Sequence, residues 1–236
     1  MRLDKFLADC GVGSRSELKK IIASGRVCVG GTVCRSPKTS VEETDTVLLD
    51  GQSIAYRKYV YLMMNKPGGV LSATRDKQKT VLDLLGEEWK HFDLFPVGRL
   101  DKDTVGLLLL TNHGELAHRL LSPTYKVPKV YEAVLDKEGE EKDVEAFLQG
   151  IDIGGGEVAR PAKLSYDATD KTKAVVTIAE GKFHQVKRMF HAVGKEVVFL
   201  KRVCFGGLML DEALEEGTYR ELSEKEVHAL FEKTNL

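Results

Sequence analysis

The apolar run Gly106-Leu107-Leu108-Leu109-Leu110 constrains the fold of this chain more than any other stretch. A short continuous apolar segment bounded by polar turns reads as a strand covered on both faces, because a half-exposed strand would alternate. Such a strand lies inside a sheet, so the rest of the chain must supply neighbouring strands and covering layers. Its approach is less easily explained by folding. "VGRLDKDT" puts Arg99 and Asp101 in a tight turn at the mouth of the strand, where a fold needs no charged pair. One reading is a turn aspartate that caps its own backbone. The other is a carboxylate fixed on the sheet, partly desolvated and in need of a cation, which is a placement that serves a reaction.

The neighbouring patterns supply the sheet. "YVYLMMNKPGGVL" opens with a strand, "KVYEAVL" and "EVVFLKRV" read as strands, and alternation marks two more at Ala162 to Ser165 and Ala174 to Ile178. Between them fall a short helix (Thr80 to Leu85), a helix "GELAHRLLS" stopped by Pro123, an acidic helix near Glu140 to Gln149, a basic helix "HQVKRMFHAVG" and a C-terminal helix after Ser223. Before them lies a different unit. Leu3, Phe6, Leu7 and Cys10 form a helical stripe, Ser14 and Glu17 are spaced as a capping box for a second helix, and "RVCVGGTVC" reads as two strands around a Gly-Gly turn, with "DTVLLDG" as a third. The pattern lapses into polar residues over Gln52 to Lys58. The expectation is therefore an α+β protein of two domains: a helix-helix-hairpin unit over 1–58, and over 59–236 a mixed, largely antiparallel sheet flanked by helices.

Charge is balanced overall, 35 Lys and Arg against 36 Asp and Glu, yet unevenly spread. Residues 1–38 carry Arg2, Lys5, Arg15, Lys19, Lys20, Arg26, Arg35 and Lys38 against Asp4, Asp9 and Glu17. Residues 182–202 carry Lys182, Lys187, Arg188, Lys195, Lys201 and Arg202 against Glu196 alone. Two basic segments with the acids elsewhere fit a polyanion bound on one face, although solvated surface charge gives the same tally. The four cysteines have neither C-x-x-C nor ligand spacing, which argues against zinc and a disulfide framework and fits a reducing cytoplasm. No apolar segment suits a signal or a bilayer span, so a cytoplasmic, membrane-free protein is expected.

Other residues could carry chemistry. Lys129 and Tyr131 are two apart on a strand and share a face, as a core tyrosine and its neighbour also would. On the basic helix, Val186, Met189, Phe190 and Val193 form the apolar stripe, which leaves Lys187, Arg188 and His191 on other surfaces suited to phosphate and a stacked base. "NKPGGVLSAT" lacks the spacing of a nucleotide-phosphate loop. His184 and His191 lack a third ligand nearby, so no metal is expected.

Taken together, "VGRLDKDTVGLLLLTNHGELAHRLLSP", "PKVYEAVL", "EGKFHQVKRMFHAVG" and "VVFLKRVCFGGLML" resemble the successive motifs of RsuA-type ribosomal RNA pseudouridine synthases. "MRLDKFLADCGVGSRSELKKIIASGRVCVGGTVC" resembles the small RNA-binding domain of bacterial ribosomal protein S-four. The likeness spans nearly the whole chain in the family's order. It implies isomerisation of uridine to pseudouridine, without cofactor or metal, with Asp101 as the catalytic carboxylate. Tyr131 would pack on the target base, and Lys187 would pair with the aspartate where many relatives have Arg. Leu200 would line the base pocket, and Arg99 would help fill the stack left by the flipped nucleotide. Lys129, Arg188, His184 and Gln185 would belong to the substrate site, and Arg2, Lys5, Arg15, Lys19, Lys20 and Arg26 to the RNA-binding face of the first domain.

The implied partner is ribosomal RNA or a partly assembled small ribosomal subunit, met by a monomer. Lys129 before Tyr131 matches the small-subunit branch of the family. A large-subunit target, a catalytically silent assembly factor, and a hydrolase using Asp101 are the alternatives. The joint presence of Asp101, Tyr131 and Lys187 weighs against the silent factor, and the lack of a second carboxylate motif or Ser-His pairing weighs against the hydrolase.

Overall fold

A computed structural model describes residues 1–236. Chain contacts divide it into two units, one of Met1–Val60 with Leu85–Leu94, the other of Tyr61–Leu84 with Phe95–Leu236.

The first unit contains α1 (Leu3–Asp9), α2 (Arg15–Ala23), β1 (Val27–Val29), β2 (Thr32–Cys34), β3 (Val47–Leu49) and β4 (Gln52–Ile54), its strands ordered β2-β1-β3-β4. Ser14 caps α2 through the Glu17 amide while Glu17 returns a bond to the Ser14 amide, the reciprocal pattern that starts a helix sharply. Leu3, Phe6 and Leu7 of α1 meet Leu18 and Ile22 of α2 and Val27 and Val47 of the sheet in one fully buried cluster. Two expectations change here. Gln52 to Ile54, read as a polar linker, is an edge strand whose polar side chains face water. Residues 85–94, placed by sequence in the second domain, belong to the first unit. Phe92 fills the space above Gly11, where a β-carbon would stand 2.2 Å from its ring and φ is +71°. The Arg57 guanidinium covers Trp89 and Phe92, at 5.5 and 5.9 Å from the ring centroids.

The second unit runs β5 (Tyr61–Lys66), β6 (Phe95–Pro96), β7 (Val105–Thr111), α3 (Gly114–Leu121), β8 (Lys129–Leu135), α4 (Glu141–Gln149), β9 (Ile151–Asp152), β10 (Val158–Ala159), β11 (Lys163–Tyr166), β12 (Lys173–Ile178), α5 (Gln185–Ala192), β13 (Val197–Phe205), β14 (Leu208–Met209), β15 (Tyr219–Glu221) and α6 (Glu224–Thr234). The main sheet is ordered β11-β12-β8-β13-β7-β5-β15, with β14 on β13 and β6 on β7. All its pairings are antiparallel except β13 with β7. Every residue of β7 is buried, as its continuous apolar run requires. Leu107 and Leu109 face Leu116 and Leu120 of α3 and Leu230 of α6 in one core. The parallel crossing depends on Gly106, where φ is +99° and a β-carbon would stand 2.3 Å from the Arg202 carbonyl oxygen. Only glycine lets the start of β7, just after Asp101, lie this close to β13.

The basic segment 182–202 is less uniform than its composition. Lys195 is buried, and its Nζ lies 2.8 Å from Asp143, which also accepts from Tyr166. It is part of an internal ion pair and is withdrawn from any RNA-binding face.

Candidate active site

The turn carrying Asp101 is held from two sides. Ser72 Oγ accepts from the Leu100 amide and donates to the Leu100 carbonyl, both at 3.1 Å. Lys66, fully buried, donates from Nζ to the carbonyls of Pro67 (2.9 Å), Thr104 (2.9 Å) and Lys102 (3.3 Å). Burial pushes its ammonium down to about 8, opposed by the nearby carboxylates of Asp103, Asp101 and Glu216. The loop is thus a fixed mount on the sheet.

Asp101 projects from this mount with about a quarter of its side chain exposed. His184 Nε2 stands 3.4 Å from its Oδ1 and Lys187 Nζ 3.7 Å from its Oδ2. Arg99, which sequence paired with it, makes no ion pair and is exposed at the rim. The basic side chains beside Asp101 come instead from more than eighty residues further along the chain. Lys187 is shared, donating to both oxygens of Asp103 at 2.6 and 2.7 Å. That partner was not singled out in the sequence, and the pairing holds the Asp103 carboxyl below its ordinary range.

Asp101 opens on a cavity of about 590 Å³ built entirely from the second unit, within the range of small-ligand sites. Period-two geometry builds its wall. Lys129 and Tyr131 are alternate residues of β8, Leu200 and Arg202 alternate residues of β13, and Arg202 lies opposite Tyr131, so all four share one face and line the cavity. All four are at least nine-tenths buried. The expected members Asp101, Tyr131, Lys187, Arg99, Leu200, Lys129, His184 and Gln185 all line this space. Gln185 is also a brace, its Nε2 donating to Glu180 and its Oε1 accepting from the Lys182 amide, each at 2.9 Å.

Arg188 is the exception. Its guanidinium donates to the carbonyls of Ile153 (2.9 Å), Gly154 (2.7 Å) and Phe183 (3.1 Å) and to Glu157 (2.6 Å), clasping the β9–β10 turn to α5 outside the cavity lining. Its donors are spent on the fold. Conversely, Phe183, which no local pattern marks, is 73% exposed at the cavity wall. Its ring stacks on His184 with centroids 3.8 Å apart and planes at 20°. His184 holds a left-handed φ of 48° as the residue before α5, a strained conformation of the kind found at functional sites.

In the first unit, all six nominated basic residues are exposed. Arg2 is tied to Asp4 through two hydrogen bonds and Arg26 to Asp50, which leaves Lys5, Arg15, Lys19 and Lys20 without ion pairs. No helix is long and apolar enough to cross a membrane.

An S4 domain model matches residues 1–47, and an RNA pseudouridylate synthase family model matches residues 60–192. An uncharacterized RNA pseudouridine synthase of Bacillus subtilis, YtzG, is 50% identical over 236 residues, covering 98% of this chain and 99% of the relative. Ribosomal small subunit pseudouridine synthase A of Vibrio cholerae is 41% identical, covering 98% of this chain and all of that one. The Escherichia coli protein of the same name is 38% identical over 96% and 98% of the two chains. A crystal structure of a pseudouridylate synthase aligns with a TM-score of 0.69 at 36% identity over 98% and 99% of the two chains. An S4 domain followed by a mixed-sheet domain that matches the RNA pseudouridylate synthase model defines an RNA-modifying enzyme. The chain belongs to the RNA pseudouridine synthase family, whose members are isomerases acting on RNA.

Proposed function

We propose that this enzyme isomerises one uridine of small-subunit ribosomal RNA, with Asp101 as the catalytic carboxylate and no cofactor. The carrying observation is the Asp101 carboxylate on its pinned turn, flanked by His184 and Lys187, at a cavity whose wall offers Tyr131 and Leu200. Such a cavity suits a flipped pyrimidine beside a sugar phosphate. Six Lys and Arg line it (Arg99, Lys102, Lys129, Lys182, Lys187, Arg202), against only Asp76 and Asp101 among the acids.

The reaction follows from the parts. The base must leave the RNA stack at a cost of a few kcal/mol, which phosphate contacts repay. Asp101 then acts at the sugar, either on C1′ as nucleophile or by taking a sugar proton. The N1–C1′ bond breaks, the base turns while Tyr131 and Leu200 confine it, and C5 joins C1′, displacing the Asp101 carboxylate on the first route or with the sugar proton returned by Asp101 on the second. C5 loses its proton and N1 gains one, so substrate and product are isomers and no oxidant or reductant enters.

The small-subunit target rests on the full-length similarity to the Vibrio and Escherichia proteins. Exposed Arg15, Lys19 and Lys20 on α2 supply phosphate contacts, which orient the RNA without reading its sequence. The test is tritium release from RNA labelled at uridine C5, on separate small- and large-subunit transcripts. Release by wild type from the small-subunit RNA, and none by Asp101→Asn, is the expected result. Release from large-subunit RNA alone overturns the target, and an active Asp101→Asn overturns the carboxylate's role.

A further inference from the structure

We propose that Lys129 and Arg202 form a cationic floor that stabilises the uracil anion produced when the glycosidic bond breaks, and so retains the detached base while it turns. The inference rests on reading this cavity as the uridine site, and it gives a chemical step to two residues that the motifs leave without one.

Both cations are almost wholly buried, with 6% and 2% of their surface exposed, and both line the cavity. Neither has a carboxylate partner. Lys129 Nζ donates to the Val127 carbonyl at 3.2 Å, and Arg202 Nε donates to the Leu107 carbonyl at 2.8 Å. Arg202 Nη2 is buried with no hydrogen-bond partner. The Phe205 ring lies under both charges, 5.2 Å from Lys129 Nζ and 4.9 Å from the Arg202 guanidinium carbon. Glu180 is the one acid that acts on Lys129, and it is committed elsewhere, accepting from Gln185 Nε2 at 2.9 Å and the Arg160 amide at 2.8 Å.

Two unpaired cations buried side by side are costly, since each is desolvated and repels the other. Burial, and then Arg202, push the Lys129 ammonium down to about 8. Ordinary folding would replace such a pair with apolar residues or give it a carboxylate. The arrangement becomes favourable when an anion arrives between these charges and the cavity.

The reaction makes that anion in place. Uracil enters neutral. When N1–C1′ breaks, its electron pair stays with the base, and the negative charge spreads over N1, O2 and O4. A base confined by Tyr131 and Leu200 lies beside Lys129 and Arg202, which are the next residues on the same face of the same two adjacent strands. The floor therefore attracts the separated state more than the bound uridine, which is the condition for accelerating the chemical step. An ammonium is a point charge without a fixed plane. It continues to attract the anion as O2 and O4 exchange positions, until C5 gives its electron pair to C1′ and the charge is consumed.

The experiment uses the full-length enzyme in single turnover on the ribosomal RNA that wild type converts. Lys129→Met and Lys129→Gln are compared with wild type on RNA carrying uridine or 5-fluorouridine at the target, with RNA affinity measured alongside. Fluorine stabilises the uracil anion by itself, so an enzyme lacking the floor loses less on that substrate. Expected are a fall of about 100-fold in bond cleavage with uridine, a markedly smaller fall with 5-fluorouridine, and unchanged affinity. Arg202→Lys should retain more activity than Arg202→Met. A loss that is equal on the two substrates and appears in affinity assigns these cations to a phosphate and overturns the proposal, as does a folded Lys129→Met with wild-type rates. Asp101→Asn in the same assay tests the carboxylate separately: activity there overturns that role whatever the Lys129 variants do.

Discussion

Lys187 places its Nζ within 2.6 and 2.7 Å of the two carboxylate oxygens of Asp103, across 84 residues of chain. The same nitrogen is 3.7 Å from Asp101, so one cation serves two carboxylates and is bonded to the one more exposed to water. Asp103 thereby fixes where the charge beside Asp101 sits.

Asp103→Ala is expected to cost under about 1 kcal/mol of stability, because the Asp103 side chain is 74% exposed and its ion pair is solvent-screened. Activity is expected to fall by about tenfold as Lys187 loses its anchor and shifts toward Asp101. Thermal melting beside single-turnover rates checks this; an equal loss in both would make Asp103 a structural residue only.

Lys66→Met would remove the donor to three carbonyls around the Asp101 turn. The expected loss of stability is about 1–3 kcal/mol from orphaned buried acceptors, with a fall in kcat of at least about 100-fold and little change in RNA affinity. A variant with near-normal kcat would show that the turn keeps its shape without this clasp.

Two buried lysines should each add stability as pH rises from about 8 toward 10. Lys66 and Lys129 release their protons near pH 8 in the folded enzyme, whereas unfolded lysine holds its proton to about 10.4. The folded state binds fewer protons between those values, so these two groups favour it increasingly as pH rises through that window. Cys10, Tyr56 and Tyr166, whose ionisation burial delays, act oppositely above about pH 9. Comparing wild type with Lys129→Met isolates the lysine: the variant's gain per pH unit should be smaller by up to about 1.4 kcal/mol. Parallel unfolding curves for the two would contradict a buried, depressed Lys129.

Phe183 presents an exposed ring at the cavity wall, already stacked on His184. Phe183→Ala should weaken RNA binding by about 1–3 kcal/mol, the value of one base stacked on an aromatic, with melting temperature unchanged. Phe183→Trp should restore affinity. Filter binding with both variants decides it, and unaltered affinity in Phe183→Ala would remove the ring from the interface.

Arg15, Lys19 and Lys20 extend from α2 into solvent. Changing all three to Gln should reduce the slope of log affinity against log salt by about 2, at about 0.7 per phosphate contact on single-stranded RNA. A slope equal to wild type would place the RNA on another surface.

Local pattern carried far in this chain. Continuous Leu107 to Leu110 predicted a strand buried on both faces, and the Ser14 and Glu17 spacing predicted a capped helix; both are present. These readings succeed because the signal lies within one element and depends only on side-chain period and capping chemistry. Gln52 to Ile54 failed because an edge strand of three residues is too short for alternation to show, and residues 85–94 failed because the partner of Phe92 is Gly11, far away in sequence. Arg188 and Lys195 counted as surface charge in composition, yet the structure spends one on backbone carbonyls and the other on buried Asp143.

The candidate site divides the same way. By itself the sequence determined that Asp101 sits at the mouth of a buried strand and that Lys129 and Tyr131 share a face, since both follow from spacing along one segment. Only the tertiary structure decided that Arg202 stands opposite Tyr131, that Lys66 clasps the Asp101 turn, and that Lys187 reaches Asp103 before Asp101. Those relationships depend on which strands become neighbours and how burial excludes water from a charge. Both are properties of the packed sheet, and no periodicity along the chain encodes them.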